Sequence, residues 1–114
     1  MEKRIRASLL LSFYGPLLTE RQRQLLRDYY DEDLSLSEIA EQNGMSRQAA
    51  HDAIRRGENQ LSILEEKLNL HARWARMCAQ LIDCQTYLQS GDVDRASDTI
   101  VRILEEEQAD AFVR

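Results

Sequence analysis

The chain has few places to stop a helix. Proline occurs once, at Pro16, and glycine four times, at Gly15, Gly44, Gly57 and Gly91, in 114 residues. Proline ends a helix because it lacks a donor and clashes with the preceding turn, and glycine weakens one through backbone entropy. Gly15-Pro16, Asn43-Gly44 and Ser90-Gly91-Asp92 therefore divide the sequence into long, otherwise unbroken runs. Those runs are built from helix formers. Leu, Arg, Glu, Ala and Gln take 60 of the 114 positions, against 13 for Val, Ile and Thr together. A sheet draws on β-branched and aromatic residues, so the expected fold is all-α.

Six helices follow from the local signals. Residues 3–15 place Ile5, Leu9 and Phe13 on one face, and Gly15-Pro16 stops the run. Thr19-x-x-Gln22 and Ser35-x-x-Glu38 each form a capping box, in which side chains at the two ends satisfy orphan amides of the first turn. The helix opened by Thr19 buries Leu25, Leu26 and Tyr29 or Tyr30. The one opened by Ser35 is short and breaks at Asn43-Gly44. Ser46 caps a much longer helix that meets no strong stop before about Leu68. Its residues Ala50, Ile54, Gly57, Leu61, Leu64 and Leu68 follow the four-three rhythm of a packed seam. Gly57 is unexpected there and reads as a bend or a close crossing. Trp74, Met77, Leu81, Cys84 and Leu88 carry the rhythm through 71–89, and Val93, Ala96, Ile100 and Ile103 or Leu104 form the apolar face of a last helix with a polar, frayed tail. The division expected is residues 1–57 as a helix-turn-helix domain and 58–114 as a helical extension sharing one core with it.

Composition and charge exclude several function classes. A hydrophobic fraction of 43% supports a core, and no apolar run approaches the ~20 residues that span a bilayer. The charged start of the chain does not resemble a secretory signal. Cys78 and Cys84, six residues apart in a helical run, are expected to be reduced thiols, which together with the missing signal points to the cytoplasm. The net charge is −5, and all of it falls in residues 58–114, while residues 1–57 balance to zero. Global steering to nucleic acid is thus absent, yet Ser46 to Arg56 carries Arg47, Arg55 and Arg56 against Asp52 alone.

The sharpest pattern lies in residues 36–55, LSEIAEQNGMSRQAAHDAIR. Ala40 is small where two helices cross, and Gly44, four residues on, permits the positive φ of a tight turn. Ile39, Met45, Ala50 and Ala53 or Ile54 point into a shared core. Ser46 caps the second helix, and Arg47, Gln48, His51, Asp52 and Arg55 are left outside. This is helix-turn-helix spacing, and Arg and Gln are the side chains that pair bidentately with guanine and adenine edges.

Residues 17–70 resemble the YlxM family of bacterial cytosolic proteins, itself similar to region 4 of sigma factors. The match rests on Leu18-Thr19 with Gln22-Arg23, Tyr29-Tyr30, Asp33 to Leu36, Glu38 to Glu41, Ser46 to Ala49 and Asp52. The resemblance implies a DNA-binding helix-turn-helix protein with a regulatory role linked to the signal recognition particle pathway. Ala50 and His51 depart from the larger aliphatic residue and the tyrosine expected there. On this reading Ser46, Arg47, Gln48, His51 and Arg55 face the groove and Arg56 meets phosphate. The alternative is an adaptor that binds the signal recognition particle protein or its RNA through the acidic second half and never binds DNA. Surplus apolar stripe argues for a homodimer through residues 58–104.

Other chemistry finds no support in the sequence. His51, His71, Cys78 and Cys84 lack metal-ligand spacing, no glycine-rich phosphate loop occurs, and Asp31-Glu32-Asp33 reads as a solvated turn. No enzyme activity, cofactor or metal is expected.

Overall fold

The computed structural model describes the backbone of residues 2–113 and the side chains of residues 2–110. Six α-helices follow in order: α1 (Lys3–Tyr14), α2 (Glu20–Tyr30), α3 (Leu36–Gln42), α4 (Arg47–Leu68), α5 (Leu70–Gln89) and α6 (Val93–Val113). A 3-10 turn, Gly15–Leu17, joins α1 to α2, and no strand occurs among the described residues. The fold is all-α. No described helix is long and apolar enough to cross a membrane.

Local chemistry sets the helix starts. Thr19 Oγ1 accepts the Gln22 amide at 3.1 Å while the Gln22 side chain accepts the Thr19 amide at 3.4 Å. Ser35 and Glu38 repeat the arrangement at 3.1 and 3.0 Å, and Ser46 Oγ accepts from Ala49 at 3.0 Å. α4 ends at Asn69, whose φ of 56° is left-handed, and α5 begins on the next residue. Asparagine tolerates that region because its short side chain hydrogen-bonds locally. The sequence carried a stop there, in Asn69 itself.

The chain divides into two compact units, Met1–His71 and Ala72–Arg114. In the first, α4 packs against α1, α2 and α3 around Leu10, Leu11, Tyr14, Leu25, Leu26, Ile39, Ala50, Ile54 and Leu61. Residues 58–71 lie in this unit, since Leu61 and Glu65 are buried along α4. The α1 face expected from Ile5, Leu9 and Phe13 is displaced: Ile5 is exposed, Leu9 and Phe13 are half-buried, and Leu10, Leu11 and Tyr14 form the core. Polar contacts turn the helix. Arg4 donates to the Tyr29 carbonyl at 2.6 Å and to Asp33 at 2.8 Å, and Ser8 pairs with Asp31. This row of α1 is thereby fixed against the end of α2.

Gly57 marks a close crossing. A Cβ built on it would meet Leu26 Cδ1 at 2.8 Å, Cγ at 3.0 Å and Cδ2 at 3.1 Å, all inside van der Waals contact. Further along, Leu68 is exposed, and a carboxylate interrupts the expected leucine row: Glu65 is buried. The buried Tyr14 hydroxyl donates to Glu65 Oε1 and accepts the Leu70 amide at 3.0 Å, while the His71 amide donates to the same Glu65 oxygen at 3.1 Å. Two orphan amides of the first turn of α5 are satisfied in this way. Burial and the Glu65 hydrogen bond push the Tyr14 hydroxyl above its ordinary range, against the opposing pull of the Leu70 amide.

In the second unit α5 and α6 run antiparallel. Arg73 pairs with Glu107 and Asp110, Arg76 with Glu106 and Asp110, and Gln80 with Glu106, while Cys84 Sγ lies 3.6 Å from the Ala96 carbonyl. Cys84, Ala96, Thr99 and Ile103 are buried there. Of the residues assigned above to core faces, Cys84, Ala96 and Ile103 are buried and Met77 half-buried, whereas Trp74, Leu81, Leu88, Val93, Ile100 and Leu104 are exposed. Both cysteines are free, Cys84 buried and Cys78 half-buried. Helix α6 continues through Glu105 to Glu107 to Val113 rather than fraying, supported by the Arg73 and Arg76 pairs.

Candidate nucleic-acid interface

Residues 35–56 form a helix, a tight turn and a second helix. The Ser35–Glu38 box starts α3, and the Ser35 amide, more than its hydroxyl, holds the Glu38 carboxyl below the usual carboxylate range. Ile39 and Ala40 are buried against α4. At the end of α3 the Met45 amide reaches back to the Ala40 carbonyl at 2.9 Å and the Gly44 amide to Glu41 at 3.4 Å. With Gly44 at φ 62°, this is a Schellman termination. It turns the chain within three residues, and Ser46 then opens α4. Met45 and Ala53 pack against the core that holds Ala50 and Ile54, as the spacing predicts.

The outward side of α4 presents Arg47, Gln48, Arg55 and Arg56, all exposed. Among the described residues no carboxylate lies within ion-pair reach of these three arginines, whereas Arg4, Arg73, Arg76 and Arg95 are all paired. Ser46 is exposed but its oxygen is committed to the cap. Gln48 donates to Asp52 at 3.1 Å, one turn on, which places a carboxylate in the middle of the cationic face. His51 does not sit in the middle of that face. It is half-buried on the flank of α4, and its Nδ1, 3.6 Å from Asp52, is shielded from solvent without a hydrogen-bond partner.

His51 and Arg55 look into a groove of about 530 Å3, whose lining also includes Lys3 and Arg4 of α1, Tyr30 of α2 and Glu58 of α4. Arg4 is stacked over Tyr29 and Tyr30, with its guanidinium carbon 4.9 and 5.3 Å from the ring centroids, and is held by Asp33. Lys3 is almost fully exposed and only 4.0 Å from Glu58. The start of α1 thus brings Lys3 and Arg4, each with a carboxylate beside it, near the outer face of α4. Sequence reasoning missed these residues. The Lys3-Arg4-x-Arg6 cluster is visible in the sequence, but nothing local ties it to residues nearly fifty positions away.

The sequence profile described as "Putative helix-turn-helix protein, YlxM / p13 like" matches residues 1–96. The chain belongs to the UPF0122 family. A UPF0122 protein of Symbiobacterium thermophilum is 48% identical over 91 residues, covering 80% of this chain and 85% of the relative. One from Desulforamulus reducens is 40% identical over 108 residues, 89% of this chain and 92% of the relative. One from Clostridium kluyveri is 57% identical over 70 residues, 61% of this chain and 63% of the relative. The UPF0122 match takes in the entire helix-turn-helix and ends in the first turn of α6.

Proposed function

We propose that this UPF0122 protein is a DNA-binding regulatory protein of the cytoplasm, similar to sigma region 4, which lays α4 in a major groove and acts in the signal recognition particle pathway. The observation carrying the DNA-binding part is the outer face of α4, where Arg47, Arg55 and Arg56 have no carboxylate partner among the described residues and stand beside Gln48. Side chains of this kind at the start of a second helix are those that read base edges and meet phosphate. Gln48 and Arg47 are assigned to bases, Ser46 to the edge of the groove, Arg56 to phosphate, and Arg55 with His51 to the side that opens toward Lys3. The pathway link rests on the family resemblance alone.

Affinity follows from how few phosphates such a face neutralises. Three arginines less Asp52 give two to three effective contacts, so log K should fall against log salt with a slope of about −2 to −3. Fluorescence anisotropy with duplexes from the gene's own upstream region, between 25 and 200 mM salt, tests the reading. Arg55→Ala/Arg56→Ala should flatten the slope by about one to two units, and Gln48→Ala should cost roughly 1–3 kcal/mol on a selected site only. Absence of binding to any duplex at low salt, or a slope that ignores the arginine substitutions, refutes it.

A further inference from the structure

The second unit carries an apolar face that its own two helices do not cover. Contacts between α5 and α6 run through Gln80, Cys84 and Tyr87 on one helix and Ala96, Thr99, Ile103 and Glu106 on the other. A residue one position further along a helix is turned by about 100°, and in an antiparallel pair that turn brings it to the same side of the pair on both helices. Leu81 follows Gln80, Leu88 follows Tyr87, Ile100 follows Thr99 and Leu104 follows Ile103. These four side chains are between 45% and 57% exposed, and Val93, one past the Asp92 cap, is 65% exposed. The positions one step earlier turn to the opposite side, and there the residues are Asp83, Asp98, Arg102 and Glu105. One side of the hairpin is aliphatic and the other is charged.

We infer that this aliphatic face is covered by the same face of a second copy of the chain, two α5–α6 hairpins closing into a four-helix bundle about a two-fold axis. Three observations favour a second copy over a different partner. The face has no charge of its own, the intervening positions being Cys78, Gln85 and Ser97, and the nearby arginines Arg73 and Arg76 are neutralised within the hairpin. No sign of charge on a partner is therefore selected. The spacing of 81 to 88 and of 93, 97, 100 and 104 is the four-three rhythm that interlocks with itself. Finally, half-exposed aliphatic side chains show on the order of 100 Å2 each, so the face offers roughly 500 Å2. That is as large as the largest apolar patch of ordinary monomers and approaches the ~800 Å2 that each partner contributes to a standard interface. An isologous contact uses up all of it and leaves no open edge.

This inference does not depend on DNA binding. Its test is sedimentation velocity of the full chain from 1 to 50 μM. The expected result is a species of twice the 13.3 kDa chain mass. Leu81→Glu and Ile100→Glu should sediment as monomers with unchanged far-UV circular dichroism, and Asp98→Lys, on the charged side, should remain a dimer. Because a charge can also unfold a chain, Leu81→Ala provides a second reading: its dimer dissociation constant should rise at least ~10-fold. A wild-type chain that is monomeric at 50 μM overturns the inference. So does dimerisation that survives both glutamate substitutions, or association seen only with a different protein.

Discussion

Gly57 gives the most direct test of how α2 and α4 are packed. Replacing it with alanine has two opposed effects. Alanine is about 1 kcal/mol better than glycine inside a helix. Its methyl, however, would lie 2.8 to 3.1 Å from three carbons of Leu26, where ~3.5–4.0 Å is comfortable. Rotation of the terminal methyls does not relieve this, because Cγ is itself at 3.0 Å, and Leu26 is buried at 1% exposure. Overpacking of this kind costs about 1–3 kcal/mol, so Gly57→Ala should be neutral or destabilising by up to ~2 kcal/mol. Leu26→Ala alone should cost about 2–5 kcal/mol through its cavity. In that background the three carbons closest to the new methyl are gone, and Gly57→Ala should stabilise by about 1 kcal/mol. The expected coupling of roughly 1–3 kcal/mol is read from urea unfolding by far-UV circular dichroism at one fixed protein concentration. If Gly57→Ala stabilises the wild-type chain by a full kcal/mol, or acts equally in both backgrounds, the close crossing is refuted.

The remaining expectations concern the turn, the buried tyrosine, the capping box and the charge on α4. Gly44→Ala should cost about 1–2 kcal/mol for its left-handed φ alone, since nothing lies within 4 Å of the added carbon, and Gly44→Asn should cost less; equal losses would refute the conformational origin. Tyr14→Phe takes a donor from the buried Glu65 carboxylate and an acceptor from the part-buried Leu70 amide, and should cost about 1–3 kcal/mol by thermal unfolding. Because the Tyr14 pKa is raised on folding, its contribution is complete below about pH 10 and is lost as pH climbs through the folded value, so Tyr14→Phe should also blunt alkaline destabilisation. Glu38 is shifted the other way. Its contribution is present above about pH 4.3 and disappears as pH falls through the lowered folded value; Ser35→Ala removes the hydroxyl but keeps the amide, so it should weaken that acid dependence without abolishing it, along with loss of the cap. Asp52→Asn should raise low-salt duplex affinity several-fold in the anisotropy assay, and unchanged affinity would mean that α4 does not face phosphate.

Much of the first unit was legible because its signals are local. Thr19, Ser35 and Ser46 cap the helices they precede, and Ala40, Gly44 and Met45 build the turn from atoms within six residues of one another. Choosing which side of a helix is buried is harder where apolar residues are abundant. Helix α1 has leucines at 9, 10 and 11, so periodicity allows either row. Arg4 and Ser8, bonded to residues more than twenty positions away, decide for Leu10 and Tyr14. The same ambiguity widened the expected rows of α5 and α6: Cys84, Ala96 and Ile103 are buried as expected, but Leu81, Leu88, Ile100 and Leu104 were counted with them and Thr99 was not. Small residues are buried there because close helix approach requires them. Glu65 was hidden for a different reason: its partners, the Tyr14 hydroxyl and the His71 amide, meet only after the chain turns at Asn69.

For the interface, geometry changes which charges matter. A net charge of −5 disfavours nucleic acid if every charge is felt equally, but exposed charges are screened beyond ~8–10 Å at physiological salt. A phosphate at the outer face of α4 therefore responds to Arg47, Arg55 and Arg56, to Asp52 among them, and at the groove to Lys3 with Glu58 beside it. Arg4 adds little, because Asp33 already neutralises it at 2.8 Å. The local balance is positive but small. It favours a reader that relies on the shape and hydrogen bonding of Gln48 and Arg47 more than on bulk attraction, so sequence selectivity should survive rising salt better than total affinity does.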